Sequence, residues 1–296
     1  MSNDRYYIGG GNIAGILGIS PYKTPLDEYL TIMGLTEPIT DEQERFFNRR
    51  KKIEPFAAEL FEHETGLAIV KRNERYVDQE HSFIKAEIDA ETADANIEIK
   101  TCHPLAAGDW GPQGEDAIPI YVAAQAMHGL GVTGRDLCYV LAMIGFDDFR
   151  IYRIERDDVT ISGMRARAIQ FWSEHVLSIV PPDPRTFADV IKLFPKDTGT
   201  SIEADGAIAD AVADLRDVKQ QIKDLETDES RLKLRVGRFI GDNTSLVYDG
   251  QTLATWRSQK SRRLDTDRLK IEEPEIYTRF TKTGASRVLR LAHNER

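Results

Sequence analysis

The stretch Ala86–Thr101 reads AEIDAETADANIEIKT. A short apolar run carries Asp89, a polar turn follows, and IEIK then sets Glu98 and Lys100 two residues apart. Residues i and i+2 of a strand point to one face. The pattern predicts a hairpin with a carboxylate and an ammonium side by side, and with Ile97 and Ile99 turned the other way. Two readings stand at this point. One is a surface hairpin with an ordinary Glu–Lys pair; the other is two acids and a lysine gathered for chemistry.

Working outward, IGGGN reads as a loop, followed by two short helices in IAGILGIS and PYKTPLDEYLTIMG with a turn at Ser20-Pro21. A longer helix is expected through DEQERFFNRRKKIEPFAAELFEHETG, ending at Gly66, with a kink or restart at Pro55. LAIVKRNERYV and SFIKAEIDA join NIEIK as strands, IPIYVAAQAMHGLG reads as a helix, and DLCYVLAMIG and FRIYRIE read as a further strand pair. The segment VTISGMRARAIQFWSEHVLSIV closes the block as a helix. Helices on either side of a central mixed sheet make the fold class α/β (α+β).

The proline-rich PPDPRTF marks a boundary, so a core of residues 1–184 is expected. Beyond it, residues 203–241 form a long helix with a heptad. Ile208, Leu215, Ile222, Glu229 and Val236 share one position, and Ala211, Val218, Leu225, Leu232 and Phe239 the other. All but Glu229 are apolar, which fits a coiled-coil or helical-hairpin seam. Self-association and packing on the chain's own core would leave the same pattern. Residues 242–296 read as a small β-containing unit opening on a hairpin at Asp249-Gly250, with a basic excess toward the end.

The 296 residues are 41% hydrophobic and carry a formal net charge of −10. That balance disfavours coating nucleic acid through bulk positive charge, yet it is compatible with a local basic channel. No apolar run is long enough to span a membrane. The N-terminus lacks the pattern of a secretory signal, and Cys102 and Cys138 are the only cysteines. The expected location is a reducing cytoplasm, with no membrane partner. The six histidines form no H-x-x-x-H pair, and GGGNIA is followed too soon by Ser20-Pro21 to open a dinucleotide-binding helix.

Hydrolysing a phosphodiester at neutral pH needs an activated water and a screen for charge on the phosphate, and hard divalent cations held by oxygen ligands supply both. Asp89 and Glu98 suit such a cation, and Lys100 on the Glu98 face suits positioning the water. Glu54, on the helix beside the sheet, offers a third carboxylate. Gln125 follows Tyr121 and Val122 by one helical turn, next to a core-facing stripe, where it can orient water or phosphate. Arg49, Arg50, Lys51 and Lys52 form a basic run just before Glu54 that either steers DNA or coats a helix face.

The order IEPFAAELFEHETG, AEIDAE, IEIKT, YVAAQAMHGLGVTG resembles the YqaJ-type viral recombinase family, which groups with phage lambda exonuclease in the PD-(D/E)xK nuclease superfamily. The opening IGGGNIAGILGISPYKTPLDEYLTIMG is similar to that family's N-terminal signature, and the resemblance covers residues 5–180. It implies a restriction-endonuclease-like core of a mixed sheet flanked by helices. Asp89 and Glu98 would be the metal-binding acids, Ile99 would lend its backbone carbonyl, Lys100 would be the ExK lysine, Glu54 the helix-borne acid and Gln125 the helix glutamine. The implied activity is Mg²⁺-dependent resection of duplex DNA ends, with Mn²⁺ able to substitute. It would run 5′ to 3′ and leave a 3′ overhang for a partner annealing recombinase. A homo-oligomer, as in the ring-shaped lambda trimer, is the implied assembly.

The family's opening loop carries a serine and an acid where this chain has Gly11 and Asn12. In lambda exonuclease that serine helps hold the 5′-phosphate. Backbone N–H groups of Gly9 to Gly11 can still form an anion nest, and Arg5 is a candidate phosphate contact. The expected function is therefore a metal-dependent exonuclease. Its rivals are an endonuclease with the same core and a non-catalytic DNA-binding or scaffolding protein acting through the heptad helix.

Overall fold

The protein is described by a computed structural model covering residues 6–114 and 117–292. Strands β1 (Lys71–Val77), β2 (Lys85–Glu91), β3 (Ala95–Cys102), β4 (Leu137–Ile144) and β5 (Asp148–Glu155) form one sheet in the order of the chain. All neighbours are antiparallel except β3 and β4, which run parallel in continuous register from Ala95↔Leu137 to Cys102↔Ile144. A parallel pair needs a crossover, and helix α4 (Ile120–Thr133) lies within it. The expected class, a mixed sheet flanked by helices, is what the chain forms.

Each face of the sheet is covered by helices for which the sequence supplies apolar stripes. Helix α3 (Asp41–Thr65) lays Ala57, Ala58 and Phe61 on Ala90, Ile97, Ile99, Leu141 and Met143. On the opposite side α4 sets Val122, Ala126 and Leu130 against Cys138, Val140, Ala142 and Tyr152. Helices α1 (Gly10–Leu17), α2 (Pro25–Ile32) and α5 (Asp158–Phe171) pack around Ile13, Ile16, Leu26, Tyr29 and Met164, with Phe83 stacked on Trp172 at 4.4 Å. Burying a side chain of this size stabilises the fold by about 1.5–3 kcal/mol.

Helix α3 starts at a capping box: Thr40 N–H donates to Gln43 Oε1 (2.9 Å) and Gln43 N–H donates to Thr40 Oγ1 (3.2 Å). It ends at left-handed Gly66, φ 70°. The helix is one unbroken element across Pro55, so the expected restart there does not occur. Pro55 has no N–H to give, which leaves the Lys51 carbonyl without its helical donor. The expected IGGGN loop is also different: α1 already begins at Gly10, so Gly10 and Gly11 are its first turn.

The hairpin of β2 and β3 is clamped at its closed end. Arg135, just after α4, donates to the carbonyls of Thr92 (3.0 Å) and Ala95 (2.9 Å) and to Glu91 Oε2 (2.7 Å). The Glu91 side chain is fully buried. Helix α6 (Phe187–Leu193) is tied to this same unit by Asp189, which accepts from Thr24 Oγ1 (2.9 Å) and from the backbone N–H of Arg185 (3.0 Å).

The chain divides into two compact units, residues 1–193 and 194–296. The second is built on helix α7 (Gly206–Ile240), 35 residues long. A hairpin of β6 (Ser245–Tyr248) and β7 (Gln251–Thr255) follows, turning on Asp249 (φ 48°) and Gly250 (φ 75°). Two positive φ values match the turn that suits strand twist. Helices α8 (Thr266–Glu272) and α9 (Pro274–Phe280) complete the unit.

Removing Arg135 strands a buried carboxylate, a change that costs about 3–5 kcal/mol. Urea unfolding of Arg135→Ala is expected to show a loss of that order; a loss below about 1 kcal/mol would mean the clamp does not hold the hairpin.

Candidate active site

Beyond the clamp, β2 and β3 part. Their ladder comprises Glu91↔Asn96 and Ala90↔Ile97 and does not extend to Asp89 and Glu98. A side chain takes over where the backbone pairing ends: Ile99 N–H donates to Asp89 Oδ2 at 2.8 Å. The split places a half-buried carboxylate at the level of the ExK element.

On β3, Glu98 is buried and Lys100 is partly so. Lys100 Nζ donates to Glu98 Oε1 (2.6 Å) and to Gln125 Oε1 (2.8 Å), and Gln125 Nε2 donates to Glu98 Oε1 (2.6 Å). The three groups close a ring in which each touches the other two. Each acid spends one oxygen on these bonds, Glu98 its Oε1 and Asp89 its Oδ2, which leaves the other oxygen for a cation.

Burial acts on the site first. It drives the Asp89 carboxyl up to about 8, with Glu98 and Glu54 adding repulsion and the Ile99 N–H opposing it. Glu54 is also pushed upward, by burial and then by the charge of Glu98. For Lys100 burial works toward loss of charge, but the Glu98 carboxylate outweighs it and holds the ammonium above the usual lysine value. Lys100 is therefore a fixed cation, suited to orienting a group and unsuited to taking a proton.

Glu54, Asp89 and Ile99 line one cavity of about 60 Å³, together with Lys51, Pro55, Ala58, Arg72 and Asn73. Among the described residues no three His, Cys, Asp or Glu side chains converge as a ready-made metal cage. The donors present are all hard oxygens, and the charges of Lys51 and Lys100 offset part of their mutual repulsion. Such a set fits a divalent ion that keeps several of its waters, as Mg²⁺ does.

Gln125 is held in place from the other side by α1. A Cβ at Gly10 would stand 3.1 Å from Gln125 Cγ, so a larger residue there would press on the Gln125 side chain by a few tenths of an ångström. The expected nest fares differently, because the Gly9 N–H is already given to Asn12 Oδ1 (3.0 Å). Asn12 Nδ2 in turn donates to the buried Glu28 (2.7 Å), whose carboxyl burial pushes upward, and Lys23 lies 3.6 Å from that acid. Asn12 is thus a structural cap, and Gly11 is exposed on α1. The sequence offered no signal for Glu28, since one acid in a helix resembles any other until the fold buries it.

Arg49 and Arg50 stand apart from the ring, on the wall of a groove of about 320 Å³ with Phe46, Ile53, Thr101, Cys102, His103 and Phe146. The Arg50 guanidinium lies 4.6 Å from the Phe46 ring centroid. Arg5 lies outside the described residues. His128 is a packing residue of α4, donating Nε2 to the Lys85 carbonyl at 2.9 Å if that nitrogen carries the proton.

Residues 4–136 match the family model of the YqaJ-like viral recombinase domain. Over nearly its whole length the chain is similar to the protein YqaJ of Bacillus subtilis (strain 168), with 26% identity across 297 residues, 95% of this chain and 92% of that one. Among solved structures it is similar to an alkaline exonuclease (LHK-Exo) of Laribacter hongkongensis, with a TM-score of 0.46 and 19% identity over 58% of this chain and 89% of the other. A phage-related exonuclease from Haemophilus somnus 129PT gives a TM-score of 0.41 and 14% identity over 59% of this chain and 97% of the other. The part of the chain that is similar to the YqaJ-like viral recombinase domain, residues 4–136, includes Glu54, Asp89, Glu98, Lys100 and Gln125.

Proposed function

We propose that this protein is a divalent-metal-dependent deoxyribonuclease that resects duplex DNA ends, working 5′ to 3′ to expose a 3′ single strand for recombination by annealing. The observation that carries the reading is the closed ring of Lys100, Glu98 and Gln125 beside Asp89. A lysine held charged between a carboxylate and an amide presents donors at a fixed place, as hydrolysis of an anionic ester requires. The family description, a viral recombinase domain, supports the recombination role.

Asp89, Glu98 and the Ile99 carbonyl would hold the cation, with Glu54 facing the same cavity. Mg²⁺, or Mn²⁺ in its place, supplies charge screening and a more acidic water when bound. The chain's own part is positional. Lys100 orients the attacking water by donating to it, and Gln125 keeps Lys100 aimed by accepting from it. Arg49 and Arg50 supply local positive charge in a chain whose total is negative. A homo-oligomer, in the manner of a ring trimer, would hold the enzyme on its DNA, and the exposed strand would pass to an annealing partner.

The deciding experiment is digestion of linear duplex DNA with Mg²⁺, bearing 5′-phosphate or 5′-hydroxyl ends, beside a closed circle. Shortening of the 5′-ended strand in the linear forms alone is expected. A cut circle would make it an endonuclease, and intact DNA throughout would leave a binding protein.

Lys100→Ala is expected to lower cleavage by at least about 100-fold, the lower end of what removing a positioned proton-transfer or charge-stabilising group costs, while sparing DNA binding in a gel shift. Normal turnover would remove Lys100 from the mechanism. A second expectation concerns pH. Asp89 titrates near 8 in the folded, metal-free protein and near 3.8 when unfolded. Between those values the folded state holds a proton that the unfolded chain has lost, so Asp89 makes the metal-free protein less stable as pH rises through this window. Asp89→Asn should flatten that decline, and in the parent protein Mg²⁺ should displace the proton at pH 7. Calorimetry in two buffers of different ionisation enthalpy would measure the release; its absence would mean that Asp89 is already ionised.

A further inference from the structure

The heptad of α7 remains bare on the row that its own unit could have covered. Val212, Leu215, Arg216, Gly237 and Ile240 are the covered positions, and the rest of the helix is exposed. The Trp256 ring packs at Gly237 and the Ala292 carbonyl accepts from Arg216. Those residues lie toward one edge of the seam. The other row, Val218, Leu225, Leu232 and Phe239, is exposed throughout, with Leu225 at 68% and Phe239 at 78%.

We propose that this seam pairs with α7 of a second copy of the chain, in antiparallel orientation. A repeat of seven sustained over five turns of the pattern needs a straight partner of the same length, and α7 is the only described helix that carries one. Orientation follows from Glu229, the one charged seam residue. In a parallel, in-register pair the two copies of Glu229 face one another in the same layer, which is unfavourable. Antiparallel pairing about a centre between Ile222 and Leu225 sets Glu229 against Val218, at the level of Lys219 of the second copy.

The remaining layers also match in size, with Ile208 against Phe239, Ala211 against Val236 and Leu215 against Leu232. Flanking charges agree with this register. Asp214 comes level with Arg235 of the other copy, and Lys219 with Glu226, each twice by symmetry. Within its own chain Glu229 pairs with Lys233, at 2.8 Å.

Light scattering on the full-length protein, resolved by size exclusion, is expected to give an even number of copies: two from α7 pairing alone, or six where the core also forms the proposed ring trimer. Leu225→Asp combined with Leu232→Asp should halve that mass, since both side chains are exposed and leave the fold of one copy alone. An odd number of copies in the wild type, one or three, or an unchanged mass in the variant, would overturn the pairing. Orientation is read from disulfide formation, with the parent protein as the baseline for Cys102 and Cys138. Ala211→Cys and Val236→Cys should cross-link when mixed and not singly. Cross-linking of either variant with itself would establish a parallel pair, and no cross-link in any mixture would also overturn the proposal.

Discussion

The bond from the Ile99 N–H to the Asp89 carboxylate is the constraint on which the site rests. A hairpin tends to zip along its length, because every unpaired buried backbone group costs free energy. Here the zipping ends after two pairs, and an acid side chain satisfies the next donor. The strands can then part without an orphaned N–H. Parting them makes room for the cavity shared with Glu54. The strain of clustered carboxylates is tolerated because the closed end of the hairpin is locked by Arg135 and the sheet continues through β4 and β5.

The ring of Lys100, Glu98 and Gln125 depends on topology in a second way. Glu98 and Lys100 share a face by strand period, but Gln125 reaches them only because the chain must cross over to start β4 parallel to β3. The same crossover that builds the sheet therefore delivers the amide. Glycine at position 10 lets α1 back the amide up, so three separate segments fix one lysine.

Much of this was legible in the residues. Alternation in IEIK gave the shared face of Glu98 and Lys100, and the stripe through Tyr121 and Val122 placed Gln125 near the core. Other features were not legible. Pro55 suggests a break, yet the apolar contacts of Ala57, Ala58 and Phe61 outweigh one missing hydrogen bond and keep α3 whole. Three glycines suggest a loop, but tertiary packing of Ile13 and Ile16 extends the helix into them. The parting of β2 from β3 has no signature, because a hairpin sequence does not say where its ladder stops. Arg135 and Glu28 were equally silent, their meaning arising only from burial.

Pro55 carries a consequence beyond helix shape. An uninterrupted helix spends each interior carbonyl on its own amide, so its flank is electrically quiet. At this point Pro55 cannot donate to the Lys51 carbonyl, and Lys51 and Pro55 both border the cavity that Glu54 and Asp89 face. A carbonyl freed of its helical donor is an acceptor that attracts cations. Side-chain replacement can dilute that attraction for cations but leaves a remnant written into the backbone.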